Sequence, residues 1–436
     1  MCLYRLRLGM GAMIFGLTVL IGPTLARAER VEIASLEALA AYAALDDNTV
    51  VMKPGTYEIS DYLTQQRIDE RIKSKNKAYI TFSGRNNTFE LEGVTIRVDT
   101  KLRKRMRHPR STHEFVIQGD KNTLKGLAIE CYNQGTSHGG VLLWVQGDGI
   151  TLEDCAFTVT GSAPYGYGDL FGKGAKKTIS HQKHSGVLFT GWDSRVLGCT
   201  IYVRSYGHGF VMQGGGRQHF EDCLVEGEMR SSDTILAETE GPAHKIDFKT
   251  VTRMRGGNHR VLPGYMKSLA EDGYRTYHQA EGLVFRNCVA RHMRSAFELR
   301  TGGAVLLDGC AAYGNERGFW VGGNTTMTQC KADAKYGPLL FVEGEGSRVE
   351  LEVLPDGSDR IVHALATIHG KGHHITLTPA KGRERSAPLP IMVGYTAPSA
   401  GEGMAPYGEK RAESIVIVNK TSNPVVLGDK ANQIKP

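Results

Sequence analysis

Two short polar turns of the sequence place groups that exchange protons beside groups that bind anions. The first turn, residues 181–186, contains Lys183, and the second, residues 204–209, contains Tyr206. An apolar run follows each turn, and aligning the runs 186–191 and 209–214 requires a shift of 23 residues. That shift places Lys183 beside Tyr206, and Arg230 falls at or beside the same position one repeat later. Because neighbouring parallel strands lie about 4.8 Å apart, the sequence predicts a file of these three side chains on one outer face.

β-Elimination of a uronic-acid polymer needs this combination of side chains. The reaction removes the proton next to a carboxylate and expels the 4-linked sugar, so cations must neutralise the carboxylate as the enolate forms. A base takes the proton and an acid protonates the leaving oxygen, which are roles for Lys, Tyr and His. A tyrosine, whose pKa is ordinarily about 10, serves as a base only where nearby cations stabilise its phenolate. Further candidates for substrate binding are His181, His184, His208, Lys249, Arg253 and Tyr167.

The spacing of the cysteines predicts the scaffold that carries these turns. Seven of the eight cysteines recur at intervals of 24, 44, 24, 65, 22 and 20 residues: Cys131, Cys155, Cys199, Cys223, Cys288, Cys310 and Cys330. The longer intervals are about two and three copies of a period of roughly 22 residues, which is typical of stacked repeats. Because seven is odd and no CxxC spacing is present, disulfides and zinc are disfavoured. We therefore expect one small buried thiol per coil of a solenoid.

The apolar runs between the cysteines predict short strands without intervening long helices. This pattern favours an all-β fold, a single-domain right-handed parallel β-helix over residues 29–436. Residues 35–45 have helical spacing after a serine and predict an N-terminal capping helix. The period is interrupted at about 161–180 and 238–279, where we expect two loop insertions that carry function. From about residue 348 the cysteines stop, and final coils with a C-terminal cover are expected.

The first 28 residues have the features of a secretory signal peptide. Arg5 and Arg7 precede an apolar run, and a small-x-small site ends at Ala28, so a periplasmic or secreted protein is predicted. Removing three arginines lowers the formal charge from +7 to +4, which does not favour nucleic acid as a partner. No run is long enough to predict a membrane span. The basic run 101–110 is either a solvated loop or a positive lip over a groove for an anionic polysaccharide.

Several motifs resemble those of β-helical polysaccharide lyases. The runs 164–174, 181–186, 204–209 and 226–231 are similar to polysaccharide lyase family 31, whose described activity is alginate lyase, and the resemblance covers roughly residues 115–340. It implies that a tyrosine and a lysine form the catalytic pair. Carried onto this sequence, the pair is Tyr206 and Lys245, with Lys183 as the rival lysine. No cofactor is implied by the sequence, and a requirement for calcium stays open.

Two other classes of function remain open. The Gly207-His-Gly209 turn is found in polygalacturonase-like hydrolases of the same fold, and the acids Asp233, Glu238 and Glu240 keep hydrolysis possible. A uronan epimerase shares the first proton abstraction, but the Asp-Pro-His-Glu motif of those enzymes is absent. A non-catalytic carbohydrate-binding solenoid is the third alternative, because fold alone does not define function. The oligomeric state is not predicted.

Overall fold

The structure is a computed structural model of the chain. It describes residues 29–74, 78–106, 113–134, 140–170, 182–245, 251–252, 258–259, 263–277, 280–335, 337–355, 364–381, 388–396 and 409–435. The predicted signal peptide, residues 1–28, lies outside the described residues. Among the described residues, no helix is both long and apolar enough to cross a membrane.

Twelve short strands, each from a different coil, form one continuous parallel sheet, which we call sheet 1. Their inward side chains belong mainly to the apolar core, and most of their outward positions are buried as well. The strands are Ile80–Phe82, His113–Ile117, Val141–Val145, Ser185–Phe189, Phe210–Gln213, Asp272–Tyr277, Ser295–Leu299, Arg317–Val321, Leu340–Val342, Ala366–Ile368, Ile391–Val393 and Val425–Leu427.

The opposite side of the molecule is a sheet of 21 strands, sheet 2, in which most coils contribute two strands on either side of a bend. The pairing is parallel throughout, as stacked coils require. The strands are Glu29–Ile33, Asn48–Met52, Gly55–Glu58, Thr88–Glu90, Val94–Asp99, Thr123–Lys125, Ala128–Tyr132, Thr151–Glu153, Ala156–Val159, Arg195–Leu197, Thr200–Val203, His219–Glu221, Leu224–Glu226, Leu283–Arg286, Val289–Arg291, Val305–Asp308, Ala311–Tyr313, Thr325–Ala332, Arg348–Val353, His374–Pro379 and Val416–Asn419. The chain is therefore the predicted all-β right-handed parallel β-helix.

The remaining elements are short. Paired strands outside the two main sheets are Met229–Ser231 with Met266–Ser268, Val251–Thr252 with Asn258–His259, Tyr395–Thr396 with Glu409–Lys410, and the trio Gly370–Lys371, Ala412–Glu413 and Ala431–Asn432. The helices are Leu36–Tyr42, Ile59–Tyr62, Gln65–Ser74, Leu102–Arg105, Ser232–Leu236 and Gly241–Lys245.

The first helix closes the N-terminal end of the solenoid, as predicted. The Ser35 hydroxyl accepts a hydrogen bond from the Ala38 N–H at 3.2 Å and caps the helix. Leu36 and Leu39 are buried in the core cluster that runs the length of the molecule. The helix thus covers apolar surface that an open coil would expose to water.

Six of the seven predicted thiols form a column at the bend of sheet 2. The strand register places Cys155, Cys199, Cys223, Cys288, Cys310 and Cys330 directly above one another. All six are buried, and none of them forms a disulfide bond. The prediction is wrong for Cys131. Leu127 occupies the corresponding place in the column, and Cys131 lies four residues later in the chain. Periodic spacing alone could not reveal that offset.

Gly209 fixes how closely the turn before its strand of sheet 1 approaches the core. A Cβ on Gly209 would lie 2.5 Å from Val225 Cγ1 and 2.6 Å from the Gly273 carbonyl oxygen. Such contacts are far inside van der Waals distance, so a side chain at this level would force the coils apart. The close approach brings the ends of neighbouring turns together, and the candidate site is built on those ends.

The second interruption begins and ends earlier in the chain than the sequence predicts. Residues 272–277, inside the predicted range 238–279, are a regular strand of sheet 1 that pairs with residues 210–213. The chain leaves the coil after residue 226 and returns at about residue 271. Of the first interruption, residues 161–170 are described and residues 171–180 lie outside the described range. After residue 348 the coils continue in register to the strands near residues 416 and 425, so the C-terminal part is more coil than cover.

Candidate active site

The register of sheet 1 brings Lys183 and Tyr206 together. Val187 pairs with Phe210, which is the predicted shift of 23 residues. The Lys183 ammonium nitrogen lies 4.8 Å from the centre of the Tyr206 ring. Gly207 makes this stacking possible, because a Cβ there would lie 2.0 Å from the His184 carbonyl oxygen. The Tyr206 N–H donates to the Ser162 hydroxyl at 2.8 Å, which ties the first interruption to the same turn.

Lys183 is the accessible member of the pair and Tyr206 the buried one. The Lys183 side chain is 34% exposed, whereas Tyr206 is 2% exposed. Burial, reinforced by the negative charge of Glu271, raises the pKa of Tyr206 well above its ordinary value. At neutral pH the residue is therefore a phenol that can donate a proton, and not a phenolate.

A chain of polar contacts runs inward from Lys183 and returns towards the surface. Lys183 Nζ lies 2.6 Å from Glu271 Oε2, and His208 Nε2 lies 3.2 Å from the same oxygen. The Tyr277 hydroxyl, on a half-buried side chain, is 2.9 Å from His208 Nε2. Because the Asp272 N–H donates to His208 Nδ1, the neutral ring carries its proton on Nε2, the nitrogen in this chain. The partly exposed side chains of Lys183 and Tyr277 are thus linked through the buried side chains of Glu271 and His208.

Arg294 balances the two carboxylates behind this chain. Its guanidinium contacts Asp272 at 2.9 Å and Glu271 at 3.4 Å. Burial alone would raise the pKa of Asp272, but the charge of Arg294 outweighs it and lowers that pKa well below its ordinary value. We call Lys183, Tyr206, His208, Glu271, Asp272 and Arg294 the Lys183 cluster.

Asp169 connects the first interruption to the Lys183 cluster. Its carboxylate lies 2.5 Å from Lys267 Nζ and 3.6 Å from Arg294. Burial opposes ionisation, but Lys267 and Arg294 lower the pKa of Asp169 far below its ordinary value. Lys267 also contacts Glu316 at 2.9 Å. Both interruptions are therefore held against the coils by ion pairs at this one place.

The outer face of sheet 1 beside the cluster carries charged and aromatic side chains. Arg275 lies 4.5 Å over the ring of Tyr277 and forms an ion pair with Glu298 on the next coil. One coil further, Arg300 lies 4.3 Å over the ring of Trp320. A linear sugar chain lying on this face would meet cations and rings in succession.

Arg230 and Tyr167 are not part of the Lys183 cluster. Arg230 does not continue the file, because Ala270 occupies the next place in the register and residue 230 pairs with residue 267 in a separate hairpin. Its guanidinium contacts Glu238 at 2.6 Å, and the Tyr167 hydroxyl donates to the same carboxylate at 2.9 Å. Arg230 and Tyr167 thus bind the two interruptions to each other.

Lys245 ends a short helix in the second interruption and is exposed. Within the described part of the chain, no ion pair or hydrogen bond joins it to Tyr206. His181, Lys249 and Arg253 lie outside the described residues.

His184 faces the interior, although it follows Lys183 directly. Its side chain is fully buried, with Nε2 against the Arg103 guanidinium and Nδ1 2.6 Å from the Thr160 carbonyl oxygen. Burial and Arg103 lower the pKa of His184 well below its ordinary value, so the ring is neutral. The structure therefore places it away from any surface that a substrate can reach. His208 is likewise 5% exposed and held between carboxylates.

Four buried groups form what we call the Arg103 cluster: Arg103, Glu114, Cys131 and His184. Arg103 Nε lies 2.7 Å from Glu114, and Cys131 Sγ lies 3.5 Å from the same carboxylate. The Glu114, Cys131 and His184 donor atoms lie within 4.8 Å of one another, a spacing that fits a metal ion. Arg103 already supplies the cation at this place, so the cluster does not fit a calcium or zinc site.

Sequence reasoning missed Glu271, Asp272, Arg275, Tyr277 and Arg294 as members of the site. The first four lie within the segment that was assigned to the second interruption, where no repeat was recognised. The apolar alternation at Tyr274 and Thr276 is the signal that could have identified a coil there.

Comparisons with known proteins return only distant structural likenesses. No family model matches the sequence, and no curated protein matches it. A PL6 alginate lyase in complex with a trisaccharide is 12% identical, with a TM-score of 0.47 over 94% of this chain and 85% of that chain. A mannuronic acid specific polysaccharide family 6 lyase from human gut microbiota is 9% identical, with a TM-score of 0.46 over 92% and 83%. The PL6 family polysaccharide lyase of Pseudopedobacter saltans is 11% identical, with a TM-score of 0.36 over 93% and 92%. These neighbours are family 6 enzymes, so the resemblance of the sequence motifs to family 31 is not shown.

Proposed function

We propose that this protein is a polysaccharide lyase that cleaves a uronic-acid polymer by β-elimination, with alginate as the preferred candidate substrate. The observation that carries the proposal is the position of Lys183, partly exposed, directly over the protonated Tyr206 and backed by the Glu271 carboxylate. The predicted export of the protein to the periplasm or beyond is consistent with a polymeric substrate.

The elimination moves one proton from C5 of the sugar and delivers one to the leaving oxygen at the 4-position. We assign the first transfer to the Lys183 amine, which becomes a base once its own proton has passed to Glu271 at 2.6 Å. His208 and Tyr277 extend the hydrogen-bonded path that accepts and returns this proton.

The second transfer is assigned to the Tyr206 phenol. The Lys183 side chain covers Tyr206 in the structure, and its flexible stem lets it turn outward towards a bound sugar. That movement brings the amine to the C5 proton and uncovers the phenol at the same time. Tyr206 then donates to the leaving oxygen, and the bond between C4 and that oxygen breaks as the C4–C5 double bond forms.

The uronate carboxylate needs cations while the enolate develops. Arg275 and Arg300 lie on the outer face of sheet 1, one and two coils beyond the strand that follows Tyr206. Arg275 is the nearer of the two and lies over the ring of Tyr277, which is hydrogen-bonded to His208, so we assign this role to Arg275. Arginine recognises carboxylates through two parallel N–H bonds, which suits this role.

Hydrolysis is a poorer fit to the same residues. It requires one protonated and one ionised carboxyl group that both face the scissile bond. Asp272 and Glu271 are buried against cations, and Glu238 is paired with Arg230. Asp233 accepts the Gly264 N–H at 2.8 Å. These contacts leave lysine and tyrosine as the better placed proton carriers.

The reaction is tested by counting two kinds of chain end. The protein is incubated with alginate, pectate and glycosaminoglycans, and unsaturated ends are followed by ultraviolet absorbance while reducing ends are titrated chemically. Elimination predicts one unsaturated end for each new reducing end on at least one uronate polymer. Reducing ends without absorbance would establish hydrolysis instead. Repeating the assay after chelation measures any requirement for calcium.

Tyr206→Phe tests the assignment of the acid. Removing a proton donor typically costs a factor of about 10² to 10⁴ in rate, and we expect a loss in that range. Full activity in this variant, with wild-type thermal stability, would place the site elsewhere. Tyr202→Phe, at an exposed position on sheet 2, is the matched control.

A further inference from the structure

A second polar cleft lies at the other end of the strands of sheet 1 and extends from the coil of Arg294 towards the C-terminal coils. It has a volume of about 470 Å³ and forms where successive strands of sheet 1 end. Arg300, Glu343 and His369 line it from three coils, and Lys410 and Arg411 approach from the C-terminal segment. The Lys183 cluster lies at the opposite, N-terminal ends of the strands, so the two places are distinct.

The cleft carries more positive than negative charge. Arg300, Lys410 and Arg411 face one carboxylate, that of Glu343. Glu343 is held by Arg300 at 3.0 Å and His369 at 3.5 Å. Burial opposes its ionisation, but the hydrogen bond from His369 and the charge of Arg300 lower the pKa of Glu343 to about 2. The Glu343 carboxylate therefore fixes the orientation of Arg300, and Lys410 adds a second cation to the lining of the cleft.

Buried aromatic rings support the charged wall. Trp320 stacks on Phe341 with their ring centres 4.5 Å apart, and Arg300 lies across the Trp320 ring. Both rings are buried, so they hold the Arg300 guanidinium in place, where it can bind the carboxylate of a sugar unit.

We infer that this cleft binds a carboxylate-bearing sugar unit of the polymer at a distance from the bond that is cleaved. The inference rests on the proposed function, because it takes the Lys183 cluster as the place of cleavage. From the strand that follows Tyr206 to the strands that carry Arg300 and His369, the register advances by two and five coils. At about 4.8 Å per coil, the cleft is displaced along the solenoid axis by about 10 to 24 Å from the reacting bond.

The separation makes the cleft selective for long chains. A sugar unit in an extended chain is about as long as one coil is high, so roughly six units are needed to occupy both places. Dimers and trimers bound at Lys183 end before the far wall of the cleft. The ratio of kcat/KM for a long oligouronate to that for a trimer should therefore depend on the cleft.

Gly302 offers a way to block the cleft without disturbing the coils. Its backbone is outside the left-handed region, and a Cβ there meets nothing within 4 Å. Gly302→Leu is expected to lower the long-to-short ratio of kcat/KM about tenfold, a loss of about 1.4 kcal/mol in binding. Lys410→Gln, which removes a cation and adds no bulk, is expected to lower it in the same direction. Lys420→Gln, an exposed lysine that does not line the cleft, is the control and should leave the ratio unchanged.

Binding is measured separately so that the two proposals fail in different ways. A hexameric and a trimeric oligouronate are titrated calorimetrically into the Lys183→Met variant, alone and combined with Gly302→Leu. Weaker binding of the hexamer only, in the double variant, supports the cleft even if the wild-type protein performs no elimination. If the wild-type protein does perform elimination but Gly302→Leu and Lys410→Gln both keep the wild-type ratio and wild-type thermal stability, the inference is overturned and the proposed function stands.

Discussion

The Lys183 cluster and the Arg103 cluster are built from the same kinds of residue, yet only one of them reaches the surface. Each combines a cation, a carboxylate and a histidine, and the neighbours Lys183 and His184 belong one to each. Arg103 and Glu114 are entirely buried, whereas the Lys183 side chain is 34% exposed. Residue type therefore does not distinguish a cluster with a structural role from a cluster with a catalytic role in this protein. The separating property is whether a proton-carrying group of the cluster can be reached from outside.

The two clusters also differ in what they hold together. The Arg103 cluster joins a short helix, a strand and a turn in the interior, so its ion pair serves the stability of those coils. The Lys183 cluster lies at the ends of adjacent turns and anchors both interruptions through Asp169 and Lys267. We expect the first cluster to affect stability mainly and the second to affect activity mainly.

Arg103→Met should have the largest effect on stability. It leaves Glu114 charged and unpaired in the interior, and breaking a buried pair in this way costs about 3–5 kcal/mol. The free energy of unfolding, measured by urea titration, checks this value. Lys104→Met, on the exposed side of the same helix, should change it by less than about 0.5 kcal/mol. Equal small effects in both variants would remove the distinction between the clusters.

Asp169→Asn should have an intermediate effect that depends on pH. The pKa of Asp169 is lowered in the folded protein, so its contribution is present above the ordinary aspartate range near pH 4 and is lost as the pH falls below it. We expect a loss of about 2 kcal/mol at pH 7. Urea titrations of both proteins at pH 7 and at pH 3 should show that difference shrinking in acid. A difference that stays constant with pH would contradict the ion pairs described for Asp169.

Cys199→Ala should have the smallest effect. Its thiol fills space in the cysteine column and donates to the uncharged Leu197 carbonyl oxygen at 3.4 Å, so the cavity costs about 1 kcal/mol. Cys131→Ala should cost more, because the Cys131 thiol also donates to the buried Glu114 carboxylate. Urea midpoints of the two variants test this order. Identical midpoints would show that Cys131 behaves as one more member of the column.

The sequence was sufficient to predict the solenoid, the capping helix and the contact between Lys183 and Tyr206, because all three follow from a local period and a fixed strand spacing. Predicting the remaining residues of the site requires knowing the path of the chain through the second interruption. Because the sequence does not reveal residues 272–277 as part of a coil, it predicts Arg230 as the next residue in the file, whereas Ala270 occupies that place. Glu271 and Arg294 lie at equivalent positions of adjacent coils, and this neighbour relation can be read only once residues 272–277 are recognised as a strand of the repeat. The direction of His184 was also hidden, since turn residues lack the strict alternation of strands.

The central claim is that Lys183 exchanges the proton of the substrate, and the most direct test compares the two rival lysines. Lys183→Met and Lys245→Met are assayed side by side on the uronate polymer that the wild-type protein cleaves, with thermal stability measured for each. We predict that kcat/KM falls by a factor of about 10² to 10⁴ for Lys183→Met and changes only a few-fold for Lys245→Met. Activity that survives in Lys183→Met and is lost in Lys245→Met would contradict the account and move the base to the second interruption.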